Sequence, residues 1–307
     1  MLAFVNKKSF IISLSIFLLL FLFLVIFFSF LSFSQSNDFV IDSLGRKVKI
    51  LDYQRIGIIN PAALKSFIFL NVENSKIIAV DSYSIIKYKE FLSKETFNLG
   101  DFNNPNIETI VKSKIDLLIL DQSFPIQKLY EIEKLNIPYF IYSTTPSDYN
   151  SISSNLYSLS KIVKKEKEYT KLKEQQITPF ENKLISLKNK FSGKTILFIV
   201  WADKNITCAG FDSYLSFLAQ FTGFANVINE KGWINISYEK LLMLNPEYII
   251  VASSYVDKGF FSNNLFKNLK AVINKNIYYF NEKDEDIILQ PSFDLWKGFY
   301  DILTRFN

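Results

Sequence analysis

The chain has 307 residues, 49% of them hydrophobic and 21% charged, with a formal net charge of +5. That length holds two compact lobes and that composition belongs to a folded protein, while a charge so near neutrality, with no basic block, gives no footing for nucleic-acid binding. Histidine is absent and Cys208 is the single cysteine, which excludes a Ser-His-Asp triad, a Cys-His pair, a His/Cys zinc site and an internal disulfide. A metal is left with carboxylates, tyrosines and carbonyls, or arrives inside a chelator. Cys208 itself reads as a small buried apolar residue, not a reactive thiol.

Lys7 and Lys8 are followed by no charge until Asp38, and residues 10–33 are almost wholly Ile, Leu, Phe, Val and Ser. A basic start with a long apolar run is either a secretory leader, cut after Ser34 in Ser32-Phe33-Ser34, or an uncleaved membrane anchor. No cysteine lies nearby to accept a lipid. The positive end stays cytoplasmic in both cases, so the chain beyond Asp38 is exported to the periplasm or the outer face of the cytoplasmic membrane.

Past this segment, Asp42-Ser43-Leu44-Gly45-Arg46-Lys47-Val48 reads as a turn entering a short strand. Apolar β-like runs follow at 55–59, 77–80, 117–120 and 139–142, separated in places by helical patterns, as in a layered α/β lobe with parallel strands. Residues 148–187 change to a charged, amphipathic stretch without glycine, predicting one long helix, with Pro179 at a kink or a restart. Strands resume at 195–200, 248–252 and 277–280. The expected organisation is a leader or anchor over 1–34, a first lobe over 35–147, an inter-lobe helix over 148–190 and a second lobe over 191–307.

An internal echo supports two similar lobes. The fifteen residues from Asn106 align without a gap on the fifteen from Ser237, at an offset of 131. Each copy has a helix N-cap residue (Asn106, Ser237), a first-turn glutamate (Glu108, Glu239) and an acidic residue (Asp116, Glu247) before a buried strand. Two α/β lobes, with central sheets flanked by helices and braced by one long helix, leave a ligand cleft between them.

The repeated unit and its surroundings resemble a known family. The segments Asp42-Ser-Leu-Gly-Arg-Lys-Val, Leu99-Gly100 with Pro105-Asn106-Ile-Glu108, Ile115-Asp116-Leu-Leu-Ile-Leu, Ile137-Pro138-Tyr-Phe, Trp233-Ile-Asn-Ile-Ser-Tyr-Glu239 and Asn245-Pro246-Glu-Tyr-Ile-Ile-Val are similar, in order and spacing, to the helical-backbone solute-binding proteins of ABC importers. That family carries cobalamin, haem and ferric siderophores. The resemblance implies no cofactor, a small-molecule ligand that is a metal chelate or a corrinoid, and a permease dimer with its ATPase as partner. It also implies that Glu108 and Glu239, one on each lobe, dock into arginine pockets of that permease. A first-turn carboxylate on a rigid helix is well placed for bidentate bonds from arginine.

Ligands of α/β lobes bind on loops at the carboxyl ends of strands. The candidate contacts on such loops are Asn60, Tyr83, Phe102 and Gln122 in the first lobe, and Trp201, Phe211, Trp233 and Tyr255 in the second, where the aromatics can stack on a macrocycle or an aromatic chelator. The absence of histidine excludes haem held by an axial His and disfavours capture of bare zinc or manganese. No arginine falls in these loops, which disfavours a strongly anionic catecholate. Two rival readings stay open at this point. One is a membrane-anchored sensor on the same fold. The other is a two-lobed transferase-type enzyme, for which Asp81, Asp101 and Asp203 are the candidate bases, although no Gly-rich phosphate loop is present. If the leader is cleaved, N-terminal sequencing of the exported protein will begin near Gln35. A chain that still starts at its own initiator would establish the anchor instead.

Overall fold

The computed structural model describes residues 39–144 and 149–306. The leader or anchor over 1–34 lies outside the described residues. A short hairpin, β1 (Phe39–Ile41) and β2 (Lys47–Lys49), opens the fold. Its turn is clamped by Asp42, whose carboxylate accepts from the Leu44 and Arg46 N–H groups and from Ile141 N–H of the first sheet.

The first lobe follows in chain order: β3 (Ile56–Ile59), α1 (Pro61–Phe69), β4 (Ile77–Val80), α2 (Ser82–Lys87), β5 (Phe97–Asn98), β6 (Gly100–Asp101), β7 (Asn104–Pro105), α3 (Ile107–Lys112), β8 (Leu117–Asp121), α4 (Ile126–Lys134) and β9 (Tyr139–Tyr142). Five of these strands form an all-parallel sheet in the order β5-β4-β3-β8-β9. Its central strands are apolar on both faces, as a parallel sheet covered by helices on both sides requires.

Four helical segments cross to the second lobe: α5 (Tyr149–Ile162), α6 (Glu166–Leu172), α7 (Thr178–Ser186) and α8 (Lys188–Phe191). The second lobe holds β10 (Thr195–Ala202), β11 (Ile206–Ala209), α9 (Tyr214–Phe221), β12 (Ala225–Asn226), β13 (Trp233–Ile236), α10 (Tyr238–Leu244), β14 (Tyr248–Val251), α11 (Lys270–Ile273), β15 (Ile277–Tyr279), α12 (Glu282–Leu289) and α13 (Leu295–Leu303). Its sheet runs β13-β11-β10-β14-β15, with β12 also on β10. The strands β10, β14 and β15 are parallel, whereas β11 and β13 add an antiparallel flank.

The sequence echo is an echo of structure. Leu117 of β8 lies opposite Ile56 of β3, and Tyr248 of β14 lies opposite Ile196 of β10. In each lobe the acidic residue before the second strand ties down the start of the first. Asp116 accepts from Gln54 N–H and Arg55 N–H at 2.8 and 3.0 Å, and Glu247 accepts from Thr195 N–H at 3.1 Å. Both short helices end on a left-handed residue, Lys114 and Asn245.

The expected single helix over 148–190 is broken. Lys164, at φ 57°, reverses the chain after α5. Its N–H donates to the Lys161 carbonyl while Lys165 N–H reaches back to Ser160 O at 2.8 Å, the paired bonds of a Schellman ending. From Glu166 to Ser186 the helix is then continuous, through a π turn at Lys173–Ile177. The π turn sits directly before Pro179, which lacks an N–H to give to the preceding turn.

Most side chains of the two sheets divide between two faces. Leu118, Leu120 and Ile141 point to an outer core under α3 and α4, and Leu197, Ile199, Ile249 and Val251 to an equivalent outer core in the second lobe. The inner faces are different, because Ile58, Ile119, Phe140, Phe198 and Ile250 belong to one core shared by both lobes and the crossing helices. The segment from α12 to the start of α13 seals this shared core against the first lobe. Tyr142 O–H donates to Pro291 O at 3.1 Å, the Ser66 and Ser292 hydroxyls meet at 2.9 Å, and Phe293 packs on Phe69.

Lys65 lies at the centre of this seam. It is only 5% exposed, and its Nζ donates to Asp286 O at 2.8 Å and lies 2.9 Å from the Asp294 carboxylate and 3.5 Å from that of Asp286. Burial pushes the Asp294 carboxyl above its ordinary range, against the pull of Lys65, and one of its oxygens is buried without a hydrogen-bond partner. Replacing Lys65 with Met leaves the mostly buried Asp294 carboxylate without its cation and Asp286 with only Lys87 and the Tyr88 hydroxyl, and is expected to cost about 3 kcal/mol at neutral pH. The raised carboxyl takes up a proton first as pH falls, so the loss shrinks through the acidic range. Denaturant unfolding at two pH values measures both effects.

Candidate ligand cleft

The carboxyl ends of β3, β4 and β8 open toward the second lobe. Two adjoining cavities lie there. One, of about 470 Å³, is lined by Tyr83 and Lys87 from the first lobe and by Ser254, Tyr255, Glu282 and Glu285 from the second. The other, of about 270 Å³, is lined by Asn60, Phe102, Asp121, Ser123 and Thr144. Leu289 and Gln290, at the end of α12, border both. The arrangement is a divided groove between lobes, wide enough for a small molecule.

Of the candidate contacts read from the sequence, Tyr83, Tyr255, Phe102 and Asn60 come together along this groove. Tyr83 and Tyr255 face it from opposite lobes, and both are exposed. Burial, and then the negative field of Asp286 and Glu285, pushes the Tyr83 phenol up to about 12, which keeps it a hydrogen-bond donor through the neutral range. Phe102 is half-buried and edge-on to Phe124. Asn60 is completely buried. Its amide donates to Asp121 and to Tyr142 O, and its carbonyl oxygen caps α1 by accepting from Ala63 N–H. It builds the floor of the groove and has no polar atom to spare. Gln122 is exposed and lines neither cavity, although its neighbours Asp121 and Ser123 do.

Trp201, Phe211 and Trp233 also line neither cavity. The two tryptophans were expected on loops; they stand instead in strands, Trp201 near the end of β10 and Trp233 at the start of β13. The register puts Trp201 opposite Thr207, Thr207 opposite Asn235, and Ala209 opposite Trp233, so all five residues share one face of the sheet. A bulge at Val200 is responsible. Ile199 pairs with Cys208 but Trp201, two residues on, pairs with the adjacent Thr207. The extra residue turns Trp201 away from the outer core, and both tryptophans stay about half exposed (49% and 46%). Gly210 holds the neighbouring loop close, since a Cβ there would come within 2.4 Å of Glu230 O. Phe211, beside it, is exposed, with the Lys231 ammonium 6.0 Å from its ring.

Glu108 and Glu239 occupy equivalent places on α3 and α10. Asn106 accepts from Thr109 N–H and Ser237 from Lys240 N–H, which caps each helix one residue before its glutamate-bearing first turn. Both carboxylates are exposed. Hydrogen bonds from the Ser237 hydroxyl and its own backbone hold the Glu239 carboxyl below the usual range. Asp81 caps α2 through Ser84 and is buried, in keeping with a structural carboxylate rather than a solvated base. Burial in the second outer core pushes the Cys208 thiol up to about 12 and leaves it inert.

Sequence reasoning missed Lys87, Glu282, Glu285, Leu289 and Gln290. The acidic start of α12 is visible in the sequence, but first-turn acids are ordinarily explained by the helix dipole, and Asn281 with Asp284 does form a capping box there.

Residues 60–283 match the family described as periplasmic binding protein, and the chain belongs to that family. Membership implies an exported protein. Among the described residues no helix is long and apolar enough to cross a membrane. No curated protein sequence matches the chain. Among solved structures, the catecholate-siderophore binding protein of Vibrio cholerae superposes with a TM-score of 0.69 at 19% identity, covering 87% of this chain and 98% of that one. The vitamin B12 binding protein of the same organism gives 0.66 at 18%, covering 82% and 96%. A molybdate periplasmic binding protein from Haemophilus influenzae gives 0.70 at 18%, covering 87% and 91%. These neighbours share the fold while they are named for a catecholate siderophore, vitamin B12 and molybdate, so fold alone does not choose the ligand.

If Asn60 is structural, Asn60→Ala will lower the unfolding free energy by about 2–3 kcal/mol, from the lost cap and the stranded partners of its amide. An unchanged melting temperature would return Asn60 to the list of ligand contacts.

Proposed function

We propose that this chain is the extracytoplasmic solute-binding component of an ABC importer. Its cargo is a metal chelate of the ferric-siderophore type, haem or a corrinoid, and it passes that cargo to a permease dimer with its ATPase. The observation that carries this reading is the divided inter-lobe groove at the strand ends, with Tyr83 and Tyr255 facing it from opposite lobes. An aromatic on each wall suits a flat or aromatic ligand, and no grouping of His, Cys, Asp or Glu fit to hold a bare metal ion occurs among the described residues. Binding without catalysis accords with the buried, hydrogen-bonded state of Asp81 and Asp121. Residues 35–147 and 191–307 act as the two lobes in this reading.

Glu108 and Glu239 are the permease contacts. Each is exposed on the first turn of a short helix whose preceding residue caps it, and each helix is followed by an acid clamped to the start of its own sheet. The carboxylates are thereby held rigidly to their lobes, as arginine pockets on a partner require. The double variant Glu108→Arg with Glu239→Arg is expected to abolish ligand-driven ATP hydrolysis by the reconstituted importer while leaving ligand affinity within about twofold. Transport that survives the double change would remove the docking assignment.

A further inference from the structure

The groove has a sign. Among the described residues that line its two cavities, Lys87 is the only cation, against Glu282, Glu285 and Asp121. Lys87 is itself drawn to Asp286, 3.9 Å away, and Asp286 also accepts from the Tyr88 hydroxyl. The buried ammonium of Lys65 is spent on Asp286 and Asp294. No arginine reaches the groove. Arg46 is bound to Asp42 and lies over the Tyr139 ring, Arg55 donates to the carbonyls of Ser113 and Lys114, and Arg305 lies beside Asp284 and Tyr278. These are all the arginines in the chain.

The negative charge is built into a rigid wall. Glu282 and Glu285 stand one turn apart on α12, three residues from each other, and Leu289 continues the same face. Glu285 is fixed by the backbone N–H of Ser254 at 3.0 Å and by its hydroxyl. Glu282 is exposed and makes no ion pair among the described residues. Tyr83 lines the same cavity from the first lobe, and Tyr255 lines it from the second. Carboxylates combined with tyrosine rings favour a cation twice over, by direct charge and by the ring quadrupole. A polyanionic chelate meets the opposite field, with no guanidinium to offset it.

We infer that the groove selects a ligand of net positive charge, such as a ferric hydroxamate-type chelate carrying a free amine, over neutral and polyanionic chelates. This rests on the binding-protein reading proposed above. The probes are the cationic ferric complex of a linear, amine-bearing trihydroxamate, the neutral ferric complex of a cyclic trihydroxamate, and a trianionic ferric tris-catecholate. Titration calorimetry on the exported protein is expected to rank them cation, neutral, anion, with at least about tenfold between the ends, and the gap should narrow as salt is raised. Glu282→Gln with Glu285→Gln should reduce the cation's advantage by about fivefold or more, and Lys87→Gln should enlarge it. Circular dichroism checks that each variant is folded. A preference for the anion, or a ranking unmoved by either set of changes, overturns the inference while leaving a binding protein in place. Failure of all three probes to bind removes the chelate reading and this inference with it.

Discussion

The rest of the molecule depends on a single crossing contact, the seating of residues 286–294 on the first lobe. By sequence this stretch belongs to the second lobe. By packing it belongs equally to the first, through Lys65, Ser66, Phe69 and Tyr142. The charges at this seam are expensive to bury and stay there only because each has a partner. What they secure is position. With Asp286 tied to Lys65 and Tyr88, the preceding turn of α12 has to lie over the carboxyl ends of the first sheet, and the groove acquires its second wall. The lobes therefore meet through a continuous inner core, and residues Val40–Asn307 form one compact unit. Large independent swings of the lobes would have to open that core.

Much of this fold was legible because its strands are buried on both faces. The runs at β3, β4, β8, β9, β10, β14 and β15 are mostly aliphatic or aromatic, and such stretches announce themselves without any partner being known. The repeat was legible for a related reason, since its cap, its acid and its strand are all local in sequence. What escaped was set by tertiary or register effects. Lys164 ends α5 in a conformation that glycine would have advertised and lysine does not. The strands β11 and β13 are short and partly exposed, and each carries a polar residue that blurs the apolar pattern.

The lining of the candidate groove was legible in part. Strand-end reasoning reached Tyr83, Phe102, Tyr255 and the Asn60 floor, because the carboxyl ends of parallel strands are found as soon as the strands are. It could not reach Glu282, Glu285 or Lys87. Their membership in the groove is decided by how α12 and α2 are carried across the seam, and nothing local to either helix records that. Asn60 shows the converse. Its position was read correctly, but its role depends on Asp121 and Tyr142, which arrive from strands 61 and 82 residues away.

The bulge at Val200 has a consequence for how this face of the second sheet varies by descent. A substitution at Trp201 changes which ring is presented but not where it stands. A change of length at this point acts differently. Because Trp201 already pairs with Thr207, the neighbour of Cys208, losing Val200 would close the bulge into a regular ladder and leave the indole on the same face, still opposite Thr207. A one-residue deletion here thus removes the local kink and extra twist of the strand and does not reverse its faces. Among relatives, a one-residue gap beside a retained aromatic would mark a strand that has lost its bulge and kept its ring in register, and an alignment forced through without that gap would mistake the straightened strand for the loss of the ring.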